Sequence, residues 1–370
     1  MKTLLRLLLK SQHQQNRSRP AQTEKGMTLI ELLIGTVMAF LIITPMLGFV
    51  VDMLNTDRRE QVKSNTEQDI QAAVDFIAQD LSQAIYIYDN NDTIGATATG
   101  IPAIRGFLPN PQNQTPILVF WKRQQLRNSL PVNTDTPQPS DCIPNTLTGK
   151  GACNDTYVLS LVAYYQVSND TDPTWCQPLG GAGVTCPTRI VRYQIQDGLK
   201  NPAESANANP AARYFTVAQL GTRSGGLRPS DAFNIGAVGR PGFDISNPTV
   251  NVTASQNWGN GDVLVNYLDH NASNTPGLAL TGNECTTALG NPTIQDGAAT
   301  VAILENRLNI VGATNSFYAC VDTQKNLARV TIRGNSLRRL QTNDTDFKTS
   351  RSAFFPTASV QVQGLGARGK

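Results

Sequence analysis

From Leu32 to Val51 this chain carries no charged residue, and a single acid, Glu31, stands at the mouth of that run. A helix over Met27 to Val51 rises about 37 Å at ~1.5 Å per residue, more than a hydrocarbon core of about 30 Å. The segment is expected to cross a membrane once. At the centre of a bilayer helix an acidic side chain costs about 2.5–3.5 kcal/mol on insertion scales, so it usually marks function, and Glu31 is read as a site. Ahead of it Lys2, Arg6, Lys10, Arg17, Arg19 and Lys25 outnumber Glu24. That bias keeps residues 1–26 cytoplasmic and sends everything after Val51 outward. A secretory signal peptide competes poorly, because its apolar core is usually ~7–15 residues with a small-residue cleavage site behind it. A plain signal anchor fits the length and leaves Glu31 unexplained.

The stretch Lys25-Gly26-Met27-Thr28-Leu29-Ile30-Glu31, with Glu31 the fifth residue after Gly26 and an uncharged helix behind it, resembles the start of a type IV prepilin. The resemblance implies removal of a leader, residues 1–26, by a prepilin peptidase between Gly26 and Met27. It also implies N-methylation of Met27 and storage as a membrane monomer before assembly. In such filaments Glu31 of one subunit would neutralise the amino terminus of the next, and buried charges persist when paired. Two features depart from the family: Met27 replaces the commoner phenylalanine, and the leader is long, with its own apolar run from Leu4 to Leu9.

Beyond the membrane run the apolar period becomes helical and one-sided. Val62, Thr66, Ile70, Val74, Ile77, Leu81, Ile85 and Tyr88 recur three or four apart among polar residues. One helix is expected from Met27 to about Tyr88, its membrane half at 27–51 and its amphipathic half at 52–90, the pilin lollipop. Pro45 removes one backbone hydrogen bond and is expected to kink or loosen the turn after Leu41. The segment Asp75 to Ala84 resembles the end of the long helix in larger minor pilins and J-type pseudopilins.

Residues 91–370 read as one large β-rich head, giving an α+β fold; two lobes stay open at this length. Strands are expected at Ile117–Trp121, Tyr157–Val167, Ile190–Ile195, Val263–Leu268, Val301–Leu304, Leu327–Ile332 and Val360–Val362, with 156–167 and 189–196 forming a hairpin. The Asn-, Pro- and Gly-rich stretches 128–155 and 221–260 read as surface excursions. Six cysteines, Cys142, Cys153, Cys176, Cys186, Cys285 and Cys320, all follow the membrane run, as disulfides in an exported head would. Proximity suggests pairing in that order, although six cysteines allow about 15 connectivities.

Charge and histidine content narrow the chemistry. The whole chain has 31 basic and 28 acidic residues, of which six and one lie in the leader, leaving 25 and 27. No nucleic-acid surface is implied, and Lys122-Arg123 and Arg338-Arg339 read as solvated. Only His13 and His270 exist, so a histidine zinc site or a His-based nucleophile is poorly supplied. His270 reads as a surface loop residue and the protein as a non-enzyme. The acidic clusters 169–172 and 343–346 offer the oxygen ligands that calcium takes. Turns share that composition, and no cofactor is expected. Sequons such as Asn251, Asn271 and Asn343 carry little weight in a prepilin-bearing chain.

A mature chain of this size would crowd a filament lattice, which favours a minor subunit. The run Phe354 to Gln363 and the Asn/Thr/Gln-rich head resemble the pseudopilins of cyanobacterial hormogonium polysaccharide secretion. That resemblance implies gliding motility and polysaccharide export. It further implies other pilins, the prepilin peptidase and an inner-membrane assembly platform as partners. The chain would begin as a single-pass inner-membrane protein with a periplasmic head, then move into a pilus, a pseudopilus or the cell surface. Three alternatives remain: a pilus-borne adhesin stacking sugars on Trp175 or Trp258, a pseudopilin of type II-like protein secretion, and a signal-anchored periplasmic enzyme.

Overall fold

The computed structural model describes residues 26–91, 100–131, 138–142, 153–168, 175, 187–204, 206–235, 252–253, 257–270, 282–296, 299–341 and 344–365. The chain divides into two compact units, Met1–Arg58 and Arg59–Lys370. Helix α1, Leu29–Ser82, begins in the first and ends in the second.

In the first unit every described side chain is exposed, including Leu32, Phe40, Leu41 and Phe49. This is the one described helix long and apolar enough to cross a membrane. Its hydroxyls are spent internally: Thr36 donates to Leu33 O and Thr44 to Phe40 O, both at 2.8 Å. Such back-bonding satisfies polar groups where water is absent. The helix is unbroken through Pro45, although proline supplies no N–H to Leu41 O.

The second unit is mixed α+β. Its five-stranded antiparallel sheet runs in sequence order: β1 (Ala84–Ile87), β2 (Gln114–Pro131), β3 (Cys153–Val167), β4 (Thr188–Gln196) and β5 (Asp262–Leu268). A small hairpin follows, β6 (Thr293–Asp296) and β7 (Ala299–Ala302). A four-stranded sheet closes the chain, with β8 (Asn309–Val311), β9 (Phe317–Asp322), β10 (Leu327–Arg333) and β11 (Thr357–Gln363), again as neighbours in order. Sequential antiparallel neighbours need only short connections.

The α1 stripe Thr66, Ile70, Ala73, Val74, Ile77, Leu81 buries into a core shared with both sheets, including Phe120, Trp121, Tyr164, Phe317, Val330 and Ile332. Gly334 permits one close approach, since a Cβ there would lie 2.9 Å from Thr66 Cγ2 and 3.0 Å from Ile70 Cγ1. Two smaller cores flank it, one around Leu199, Phe215, Leu220 and Leu227, the other around Cys285, Leu308 and Tyr318. Disulfides join Cys142 to Cys153 and Cys285 to Cys320, two of the three expected pairs. Cys176 and Cys186 lie outside the described residues.

Several expectations need correction. The long helix stops at Ser82, and Ile85 belongs to β1 with Tyr88 just past it. Ala-Ile-Tyr-Ile continues the helical stripe, yet it equally suits a strand, and pairing with Phe120 to Lys122 of β2 decides the matter. The stretch 221–260 is more than a surface excursion, because Ala232, Phe233, Val252 and Trp258 enter the main core. By internal contacts, Arg59–Lys370 makes one compact unit. Six of the seven expected strands are present, most of them longer; the seventh, expected at Val301–Leu304, is shifted to Ala299–Ala302, because Leu304 caps the short helix Glu305–Leu308. The 156–167 and 189–196 hairpin pairs in register from Ser160↔Gln196 to Val167↔Arg189.

Candidate functional site

The N-terminal motif is built by the first turn of α1. The Glu31 amide donates to Thr28 O at 3.0 Å and to Thr28 Oγ1 at 3.4 Å, and the Thr28 hydroxyl donates to a Glu31 carboxylate oxygen at 3.5 Å. Thr28-x-x-Glu31 has the spacing of a capping box, and the negative charge lies at the positive end of the helix dipole. This second role for Glu31 was legible in the Thr-x-x-Glu pattern ahead of an apolar run. Met27 sits one residue before the cap, outside the helix, and is largely exposed. A Cβ on Gly26 would meet nothing within 4 Å. Among the described residues, then, nothing steric demands glycine there.

A second constellation lies in the Arg59–Lys370 unit, where α1 meets the five-stranded sheet. One Asp80 oxygen accepts from Lys122 Nζ at 2.7 Å; the other accepts from Tyr164 OH at 2.7 Å and Arg192 Nε at 2.8 Å. These partners come from β2, β3 and β4, so one carboxylate ties the last full turn of α1 to three adjacent strands. Burial raises the Asp80 carboxyl, but Lys122 and Arg192 outweigh it and hold the group below its ordinary value. Burial lowers the Lys122 ammonium, and Asp80 opposes that only in part. Burial and the neighbouring Asp80 charge push the Tyr164 hydroxyl far above its ordinary value.

Asp80 follows Ile77 by three residues and so falls on the buried stripe, which was the available sign that it points inward. Lys122, read as solvated, is buried because it must reach Asp80, while its neighbour Arg123 is exposed and stacks on Tyr157 at 4.0 Å. Arg338 is likewise buried, and Arg339 pairs with Asp69 of α1.

The remaining candidates are placed as follows. His270 is half-buried, its Nε2 3.3 Å from Asp346 Oδ1, and burial followed by Arg338 lowers its pKa. It is therefore not a free loop histidine. Asp344 is engaged by Lys348 at 2.6 Å and Arg351 at 2.8 Å, so its oxygens face ammonium and guanidinium groups. The clusters at 169–172 and Asn343, with Asn251 and Asn271, lie outside the described residues. Trp258 is buried and donates its indole N–H to Phe107 O at 2.9 Å, which removes it as an exposed sugar platform. Trp175 faces the Arg189 guanidinium at 5.3 Å. Among the described residues no group of three His, Cys, Asp or Glu side chains is arranged to hold a metal ion.

Comparison of this chain with protein-family models, with curated proteins and with solved structures finds no match.

Proposed function

We propose that the protein is a minor pilin or pseudopilin, a structural subunit of a type IV pilus-like machine. The carrying observation is the arrangement at the start of α1: a glycine with no steric role, Met27 next to it, and Glu31 in the first turn of a helix whose next twenty residues are uncharged and exposed. Among the described residues nothing packs against Gly26, so the glycine fits a recognition role for a peptidase at this bond. Cleavage there would free an ammonium at Met27, four residues before Glu31, and either that amine or a neighbour's could take the carboxylate as partner. Lipid-facing helices that trade lipid for one another would then assemble the filament, and the head would set position and partners.

The finer reading is a subunit serving gliding motility and export of surface polysaccharide, by its resemblance to hormogonium pseudopilins. Its partners would be other pilins, the prepilin peptidase and the inner-membrane platform. The test is the N-terminal peptide mass of the protein from native membranes and from sheared surface fractions. A chain beginning at N-methylated Met27 supports the reading. A chain retaining Met1, with no cleaved form, overturns it in favour of a signal-anchored protein.

A further inference from the structure

Where α1 ends at Ser82, the face of the five-stranded sheet continues into a groove of about 470 Å³, within the range of small-ligand sites. Strand β4 presents Arg192, Gln194 and Gln196 to it at alternate positions, and Gln124 of β2 stands beside them. The amides are held in fixed orientation. Gln124 Oε1 accepts from Gln194 Nε2 at 2.8 Å and from the Ser160 hydroxyl at 3.0 Å, while Arg192 donates to Gln194 Oε1. Among the described residues this leaves the Gln124 NH₂ and one N–H of Gln194 without a partner. The facing loop is pinned as well, because Ser230 N donates to Gln196 O at 2.8 Å and Gln196 N to the Ser230 hydroxyl at 2.9 Å.

Apart from Pro229, every side chain lining the groove is polar. The charges in and behind it cancel: Lys122, Arg192 and Arg228 against Asp80, Asp231 and Asp262. Such a site has no wall for an apolar ligand and no net field to draw a polyion. Its preset donors and acceptors match dense, uncharged hydroxyls. We infer that this groove binds a neutral glycan chain. The inference rests on the export reading only for the source of the glycan; the groove's chemistry stands apart from it. With no aromatic ring in the lining, binding comes from hydrogen bonds and is expected in the millimolar range.

The experiment is saturation-transfer NMR on the full chain in a sugar-free detergent, with cello- and malto-oligosaccharides as neutral probes and an oligogalacturonate as the acidic one. The neutral probes should bind, and Gly226→Trp should weaken them about tenfold or more. Residue 226 lines the groove, and a Cβ there meets nothing within 4 Å, so this variant blocks the site without straining the loop. Gln194→Ala should act in the same direction, and Gln295→Ala, outside the groove, should not. Failure of both neutral probes, binding of the acidic probe alone, or undiminished binding by Gly226→Trp would overturn the inference. The N-terminal mass of the same preparation reports separately on the pilin reading.

Discussion

Replacing Asp80 by Asn removes one charge and leaves two buried cations facing each other. The Lys122 and Arg192 side chains are only 7% and 12% exposed, and Asp80 only 10%, so solvent screens the loss weakly. Removing one partner of a buried ion pair costs about 3–5 kcal/mol, against a total stability of about 5–15 kcal/mol. The amide oxygen of Asp80→Asn still accepts from Tyr164, so the loss reports charge rather than shape. Urea unfolding of the full chain in detergent should show a lower midpoint at unchanged slope, and the thermal midpoint should fall by roughly 10 °C. A triple variant, Asp80→Leu with Lys122→Met and Arg192→Met, should recover most of this, since apolar replacement of a whole buried charge cluster is often neutral. The pH dependence has a definite sign. Burial raises Asp80, but the two cations hold it below its ordinary 3.8 in the folded chain. A group depressed on folding contributes stability that is complete above its unfolded pKa and is lost as pH falls through the folded one. The wild type should therefore lose this contribution below about pH 4, and Asp80→Asn should lack that step. An Asp80→Asn variant within about 1 kcal/mol of wild type would refute the view that this carboxylate fastens α1 to the sheet.

Glu31→Val should leave membrane insertion intact or ease it, yet remove the protein from sheared filaments; wild-type incorporation would end the charge-pairing idea. Gly26→Arg should trap the full-length precursor, and an unchanged mature mass would contradict cleavage at that bond. Replacing both Cys285 and Cys320 by Ser frees the short helix Glu284–Ala288 from β9 and opens a 35-residue link. It should cost about 2–4 kcal/mol in denaturant unfolding, less some of what Glu305 retains by capping that helix at Cys285 N and Thr286 N, both 2.7 Å. Trp258→Ala deletes a buried ring and its bond to Phe107 O, with an expected loss of about 3–5 kcal/mol by the same assay.

The sequence by itself determined the features that depend on near neighbours along the chain. The apolar run after Glu31, the one-sided stripe from Thr66 to Leu81 and the short apolar, β-branched runs of β3 and β4 are short-range patterns that helix and strand geometry read directly. The Gly26-Met27-Glu31 spacing and the nearest-neighbour disulfides Cys142–Cys153 and Cys285–Cys320 were legible for the same reason. Tertiary structure decided what depends on distant partners. Ala84 to Ile87 satisfies either period, and only β2 makes it a strand. Lys122 looks like any surface lysine until Asp80, 42 positions earlier, is brought against it. Trp258 reads as a loop residue until Phe107, 151 positions away, offers its carbonyl. The polar groove is further still from the sequence, because Gln124, Gln194 and Ser230 are adjacent only once β2, β4 and a later loop are folded together. Local pattern fixes the element where one period is clear, whereas ambiguous segments such as Ala84–Ile87, burial and charge partners are set by long-range packing that no short window contains.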